Sequence, residues 1–337
     1  KNLFENINSN KVVVNVVPFS SKSLLFRTIW AQMILPVLLI IYGIDILFCP
    51  GNISPIINVK KKVQWIGTVG PFENDFIAAF PWKQKIVLFV SKYLIVFSAR
   101  TSDTVIFESN YTKNLFIKKY RQPTKTAVVL HIGNDDFFRP VASLKSSVCH
   151  KIKNQQFILT VSHLYPYKDI ETLIRSFNHL QLSDQGLVLC IAGSVVDEAY
   201  YAKLIILIQK YDLEEYVIFL GRVGREDLKE LYSQCKAFVF TSPFENFAYT
   251  LVEAMGCGAP IIATNSTAMP ETCGAAALYF SPGDELELSA CLLKYLVDEP
   301  LRLSFKEKAL LKSNEFDVYQ VVNKKTNDIL EALVYPL

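Results

Sequence analysis

The sequence predicts an α/β protein made of two doubly wound, mostly parallel sheets that face each other across a cleft. Three observations predict it. A length of 337 residues exceeds one ordinary hydrophobic core. Short apolar runs alternate with helical patterns in both halves, which is the signature of βαβ units. A polar run over 141–155, with SLKSS inside it, reads as a linker between the halves. The expected division is 1–145, 146–315 and a closing segment 316–337.

In the front half, 11–17 (KVVVNVV) reads as a buried parallel strand. The most apolar stretch, 29–46, approaches the length of a bilayer span. Gln32, Pro36 and Asp45 interrupt it, so a buried or surface-docked helix is expected instead. A strand at 45–49 runs into the turn Pro50-Gly51-Asn52. A second strand, 63–66, ends in the loop 67–73 (GTVGPFE), at the strand end where open α/β sheets place ligands. Residues 82–100 are helical and mix apolar side chains with Lys83, Lys85 and Lys92. Such a helix lies on a membrane or packs with its charged face in water. A strand follows at 104–107. Ser109 caps a helix to Tyr120, and 127–130 is the last front strand. His131, at that strand's end, reads as structural, with an acid–base role as the alternative.

The back half opens with a strand at 157–162. His163 and Lys168 lie in the loop leading from it to a helix that reaches 182. Further strands are expected at 187–192, 217–220, 237–241 and 260–264, with helices at 197–211 and 226–234. The strand 217–220 ends at a corner holding Gly221, Arg222 and Val223. Residues 266–271 form a loop, Gly283-Asp284 opens the closing helices, and 317–333 is a final amphipathic helix.

The most informative stretch is 241–258, TSPFENFAYTLVEAMGCG. The apolar run before it ends at Ser242-Pro243, and a helical stripe of Leu251, Val252, Ala254 and Met255 begins near Phe247. The free amides of Phe247, Ala248, Tyr249 and Thr250 would point out of the helix start, where a diphosphate binds well. Glu245 lies in the turn before the helix and Glu253 on its second turn. Like charge disqualifies both from holding phosphate, whereas both suit the hydroxyls of a sugar or ribose. The plainer alternative is a strand–loop–helix unit with two solvated carboxylates.

Composition narrows the function. Half the residues are hydrophobic, 51%, so a sizeable core can be buried. Seven scattered Cys, no C-x-x-C and only four His read as reduced, mostly buried thiols with no metal cluster. The net charge of +3 hides an asymmetry. Residues 1–150 carry 18 Lys/Arg against 8 Asp/Glu, and the remainder 17 against 24. A basic front half points to an anionic partner. Nucleic acid lacks any supporting motif, so an anionic membrane surface is the better expectation.

In the setting SPFENFAYTLVEAMGCGAP, a Glu followed seven residues later by a second Glu resembles the signature of the retaining GT-B glycosyltransferases of glycosyltransferase family 4. The resemblance runs over about 45–300 and is densest after 157. It implies a GT-B fold with two Rossmann-like domains, the front acceptor-side domain truncated at its start, and a last helix that crosses back to the front domain. It also implies transfer of a sugar from a UDP- or GDP-sugar with retention, no metal and no cofactor beyond the nucleotide sugar. The acceptor would be a lipid-linked or polysaccharide glycan, and the protein cytoplasmic, at the inner face of the plasma membrane. Carried over by motif, Glu245 contacts the donor sugar and Lys168 the diphosphate, and Glu253 holds the ribose. The helix start, Asn246, Phe247, Ala248, Thr250 and Leu251, joins the donor site. Gly133 would lie near the phosphates or the cleft floor, Arg222 and Val223 beside the base, and Gly51, Asn52, Gly67 and Thr68 on the acceptor side. His163 stands where the family carries Arg, Ala248 where it carries Gly, and Gly67-Thr68 where many relatives carry His or Asn. The chain also begins at Lys1 in mid-pattern, so a family-type first strand and Gly-rich loop are expected to precede it. Two other classes stay open: a nucleotide-sugar epimerase on the same fold, and a non-catalytic sugar-nucleotide binder.

Overall fold

The computed structural model describes residues 24–57, 61–121, 126–134, 136–142, 152, 155–183, 186–319 and 323–334. The strand expected at 11–17 and most of the linker lie outside these residues. The front half forms a four-stranded parallel sheet in the order β1-β2-β3-β4: β1 (Ile46–Cys49), β2 (Lys61–Ile66), β3 (Thr104–Phe107) and β4 (Thr126–Val129). The back half forms a six-stranded parallel sheet, built from β5 (Gln156–Val161), β6 (Leu187–Ala192), β7 (Val217–Gly221), β8 (Ala237–Phe240), β9 (Ile261–Thr264) and β10 (Ala277–Phe280). Its order is β10-β9-β8-β5-β6-β7.

Burial explains why these apolar runs become strands. All six side chains of β6 are buried, and they alternate between two cores. Val188, Cys190 and Ala192 join one cluster, with Leu231, Tyr232, Leu251 and Met255 from the helices Arg225–Gln234 and Tyr249–Gly256. Leu187, Leu189 and Ile191 join the other, with Ile170, Leu204 and Leu292 from three further helices. Both faces of a parallel sheet are thus covered, so its strands read as unbroken apolar runs. β10 (ALYF) completes the sheet at the edge. The sequence reading assigns no strand there, because the small residues Gly274, Ala275 and Ala276 before it blur where its apolar run begins.

Among the described residues, the cores on the front sheet are smaller. Ile95, Val96 and Ala99 of the helix Trp82–Arg100 pack with Phe107 and Phe116. On the other face, Val63, Ile106 and Leu130 form a smaller cluster. It is joined by Ile329 of the helix Asn323–Val334, so that C-terminal helix touches the front sheet. This helix starts six residues later than the 317 expected; Asp317 instead forms a parallel bridge with Asn134. The chain crosses there: Asn134 N–H donates to Phe316 O at 2.7 Å, and Val318 N–H donates to Asn134 O at 3.1 Å. The stretch 29–46 is helical to Ile41 through a π-turn at Trp30–Ile34, with most of its side chains exposed. No helix among the described residues is long and apolar enough to cross a membrane.

Candidate active site

Topology sets where a ligand goes. In the back sheet the chain runs outward from β5 through β6 to β7, then returns past β5 to β8. The loops leaving β5 and β8 therefore diverge, and open α/β sheets bind ligands in the crevice at such a switch point. Lys168 lies on the β5 loop and Glu245 on the β8 loop. Their side chains meet: Lys168 Nζ donates to Glu245 Oε1, and both are largely buried, at 14% and 19% exposure. The ammonium also stands over the Tyr167 ring at 5.0 Å and the Phe240 ring at 5.9 Å. The loops brace each other, since Thr241 Oγ1 donates to Lys168 O and Glu245 N–H donates to Thr267 Oγ1.

Three adjoining cavities run through this crevice. The central one, about 270 Å³, is lined by His163, Lys168, Glu245, Ala248 and Thr250 among others. Towards β6 and β7 lies a second, about 250 Å³, which shares His163 and Thr250 and adds Gly193, Arg222 and Val223. Gly193 is needed there because a Cβ would stand 1.9 Å from Ser162 O, where β5 and β6 end side by side. Towards the front domain lies the third, about 170 Å³. It shares Tyr167, Glu245 and Phe247 with the centre and adds Gly67, Thr68 and Phe76 together with Asn246 and Glu108. His163, Lys168, Glu245, Phe247, Ala248, Thr250, Arg222, Val223, Gly67 and Thr68 thus share one connected space.

Other sequence-selected residues stand elsewhere. The helix begins at Tyr249, two residues later than expected, with Ala248 as its N-cap and no side-chain cap. Phe247 is therefore in the loop. Leu251 is not a free donor, because its amide donates to Ala248 O at 2.9 Å and its side chain is core. Glu253 is buried and lines none of the three cavities; Tyr232 Oη donates to its Oε2 at 3.3 Å. Gly133 adjoins the Asn134 crossing and is not among the residues lining the cavities. Gly51 does not line them either. Asn52 acts at one remove: it holds a left-handed turn (φ 66°), and its Oδ1 accepts from Gly67 N–H at 2.7 Å, fixing the acceptor-side loop. The segment expected as the loop 266–271 is partly a short helix, Met269–Cys273.

Side chains from both halves join the two domains, Glu108 and Glu271 among them without a site role assigned from sequence. Asn246 is buried between them: Thr112 Oγ1 donates to its Oδ1, and its Nδ2 donates to Glu108 Oε2 at 2.5 Å. Burial pushes the Glu108 carboxyl up, while hydrogen bonds from Trp65 and Asn246 pull it down; burial dominates. Glu271, from the back domain, accepts from the backbone N–H groups of Asn110 and Tyr111 at 2.8 and 3.0 Å, at the start of the front helix Asn110–Tyr120. A carboxylate is favoured there by the free amides and the helix dipole. Glu271 also meets His131 Nε2 at 2.9 Å. Burial alone would raise its pKa; the bonds from His131, Asn110 and Tyr111 outweigh it and bring it to about 2. The His131 ring stacks on Phe247 at 5.6 Å, which gives it a packing role beside the site. The only sequence signal for Glu108 was its position at the C-terminal end of a parallel strand.

Two Rossmann-like parallel sheets with a ligand crevice at the switch point define the GT-B class of α/β fold. Solved structures agree. Sucrose-phosphate synthase from Thermosynechococcus elongatus superposes with a TM-score of 0.75 at 17% identity, over 96% of this chain and 82% of that one. Anabaena HepE, solved in complex with UDP and glucose, gives 0.74 at 20% identity, over 90% and 83%. Within that class the chain belongs to the glycosyl transferases group 1 family, which residues 145–312 match. Among curated relatives, the serotype-specific mannosyltransferase WbdA of Escherichia coli is 33% identical over 162 residues, 48% of this chain and 20% of that protein. The O-antigen chain mannosyltransferase B of Escherichia coli is 25% identical over 225 residues, 65% of this chain and 58% of that protein. The chain thus spans between a fifth and under three fifths of the length of these relatives.

Proposed function

We propose that this protein is a retaining glycosyltransferase that moves a hexose, mannose in the first instance, from a nucleotide sugar to a glycan or lipid-linked acceptor. One observation carries the reading: the Lys168 ammonium and the Glu245 carboxylate meet at the switch point, in a cavity that also holds the start of the Tyr249–Gly256 helix. A donor has two chemistries at that point, an anionic diphosphate and a hydroxylated ring. Lys168 and the helix amides suit the diphosphate, whose charge grows as the sugar–phosphate bond breaks. Glu245 suits the ring hydroxyls and the positive charge that develops at the anomeric carbon. Exposed His163 gives the phosphates one further hydrogen-bond donor. Arg222 and Val223, at the far end of the connected space, suit the base. Glu253 keeps lone pairs beyond its Tyr232 hydrogen bond for the ribose hydroxyls, but it is buried and reaches them only if the crevice opens towards it. The mannosyltransferase relatives support mannose, and their O-antigen names support a polysaccharide acceptor.

The same reading places the protein at the cytoplasmic face of a membrane. The helix Trp82–Arg100 exposes Trp82, Ile86, Phe89 and Val90, while Lys83 and Lys85 are exposed on the same helix. Apolar side chains with interspersed Lys suit an anionic lipid surface. The deciding experiment is a donor screen with GDP-mannose, UDP-glucose and other UDP- and GDP-sugars, with and without mannobiose as acceptor. Acceptor-dependent release of nucleoside diphosphate, with an α-linked product from an α-linked donor, is expected. An altered sugar formed without acceptor would instead identify an epimerase. A donor-induced rise in melting temperature without turnover would identify a binder.

A further inference from the structure

We propose that Glu108 is the front domain's acceptor-binding carboxylate, taking the place left by a loop that carries Gly67 and Thr68. This rests on the glycosyltransferase reading and names a residue that the reading does not need. Four observations carry it. First, Glu108 follows β3 directly, lines the third cavity together with Glu245 and is 8% exposed. Second, its carboxylate is held from two domains: Trp65 Nε1 donates to Oε1 at 2.8 Å and Asn246 Nδ2 donates to Oε2. Each oxygen keeps a further lone-pair direction, so the group can accept from a sugar hydroxyl without losing its anchors. Third, the carboxylate packs where a residue-67 side chain would stand, since a Cβ on Gly67 would lie 2.7 Å from Glu108 Oε1. The glycine and the carboxylate are therefore complementary: the loop gives up a side chain and the neighbouring strand supplies one. Fourth, the remaining wall is aromatic and closes from both domains. Phe76 of the front domain meets Tyr167 at 5.2 Å and Phe244 at 5.6 Å between ring centres. Aromatic faces beside a hydrogen-bonding carboxylate suit a sugar ring, which has apolar C–H faces and a hydroxylated edge. The cavity is small, about 170 Å³, and suits a single terminal ring. The acceptor's terminal sugar is thus gripped at its edge by Glu108 and on its faces by aromatic rings, with its attacking hydroxyl turned towards Glu245.

Glu108→Gln and Phe76→Ala test this with GDP-mannose or UDP-glucose, whichever the donor screen identifies, and mannobiose as acceptor. The expected result is an acceptor KM at least tenfold higher in both variants. The dissociation constant for GDP or UDP should stay within twofold of wild type. A wild-type acceptor KM in Glu108→Gln overturns the assignment. If Glu108→Gln loses the nucleotide-induced rise in melting temperature, its fold has failed and Phe76→Ala decides alone; an unchanged acceptor KM there also overturns it. Absence of nucleotide binding by the wild-type protein is a separate result and overturns the donor reading instead.

Discussion

The two halves of the site are built differently. In the back domain the candidate residues stand on the backbone route itself: Lys168 after β5, Glu245 after β8, and the helix start beyond it. Parallel topology brings those three together, because neighbouring strands must point their C-terminal ends the same way. In the front domain the contributions come from side chains that reach sideways. Glu108 is held by Asn246, the Asn110–Tyr120 helix start is capped by Glu271, and Phe76 packs on Tyr167. The first kind of site is written in local pattern. The second exists only once the domains have closed on each other.

That contrast fixes what could be read from the chain. The strand–turn–helix at 237–258 was legible because an apolar run, a Ser-Pro stop and a helical stripe follow one another in sequence. Nine of the ten strands among the described residues were legible as apolar runs for the same reason, and β10 was not, because the small residues Gly274, Ala275 and Ala276 before it blur where its apolar run begins. Ser109 was legible as a helix cap, and its side chain accepts from Thr112 N–H. Glu271 as a second, interdomain cap for that same helix was not, because its partners lie about 160 residues away. Leu251 was read both as part of the helix's apolar stripe and, by motif, as part of the donor site; its side chain is core and its amide donates to Ala248 O.

The largest expected effect lies on the legible half. Glu245→Ala and Lys168→Ala should each lower turnover by about 10²–10³-fold, the usual loss when one preorganised electrostatic partner is removed. Glu245→Ala should change nucleotide affinity little, whereas Lys168→Ala should weaken it as well. Single-turnover rates with equilibrium nucleotide titration separate the two. Equal, small losses in both variants would break the claim that the switch point is the reacting centre.

Next comes the backbone that shapes the crevice. Gly193→Ala sets a Cβ 1.9 Å from the Ser162 carbonyl, at a φ of +147° that side chains rarely adopt. Neither β5 nor β6 can retreat, since both are interior strands with both faces buried. A loss of about 3 kcal/mol or more is expected. Chemical denaturation measures it, and a variant of wild-type stability would show that the strand ends have more room than the back sheet's packing implies.

The smallest effect tests the other half, where domain closure is the cause. Glu271 is ionised in the folded protein down to about pH 2, below the ordinary carboxyl value of 4.5. A depressed carboxyl pKa stabilises the fold above its unfolded value, and that contribution fades as pH falls towards the folded one. Full stabilisation is therefore present above about pH 5 and is lost progressively between there and pH 2. The carboxylate is about one-fifth exposed, and the shift corresponds to about 3–4 kcal/mol before any screening. Glu271→Gln should lower the melting temperature by a few degrees at pH 7, and the gap from wild type should narrow at pH 3–4. A gap that stays constant from pH 7 to pH 3 would mean that Glu271 acts by shape alone. The front half of the site would then owe its geometry to packing, with charge playing no part in holding the domains together.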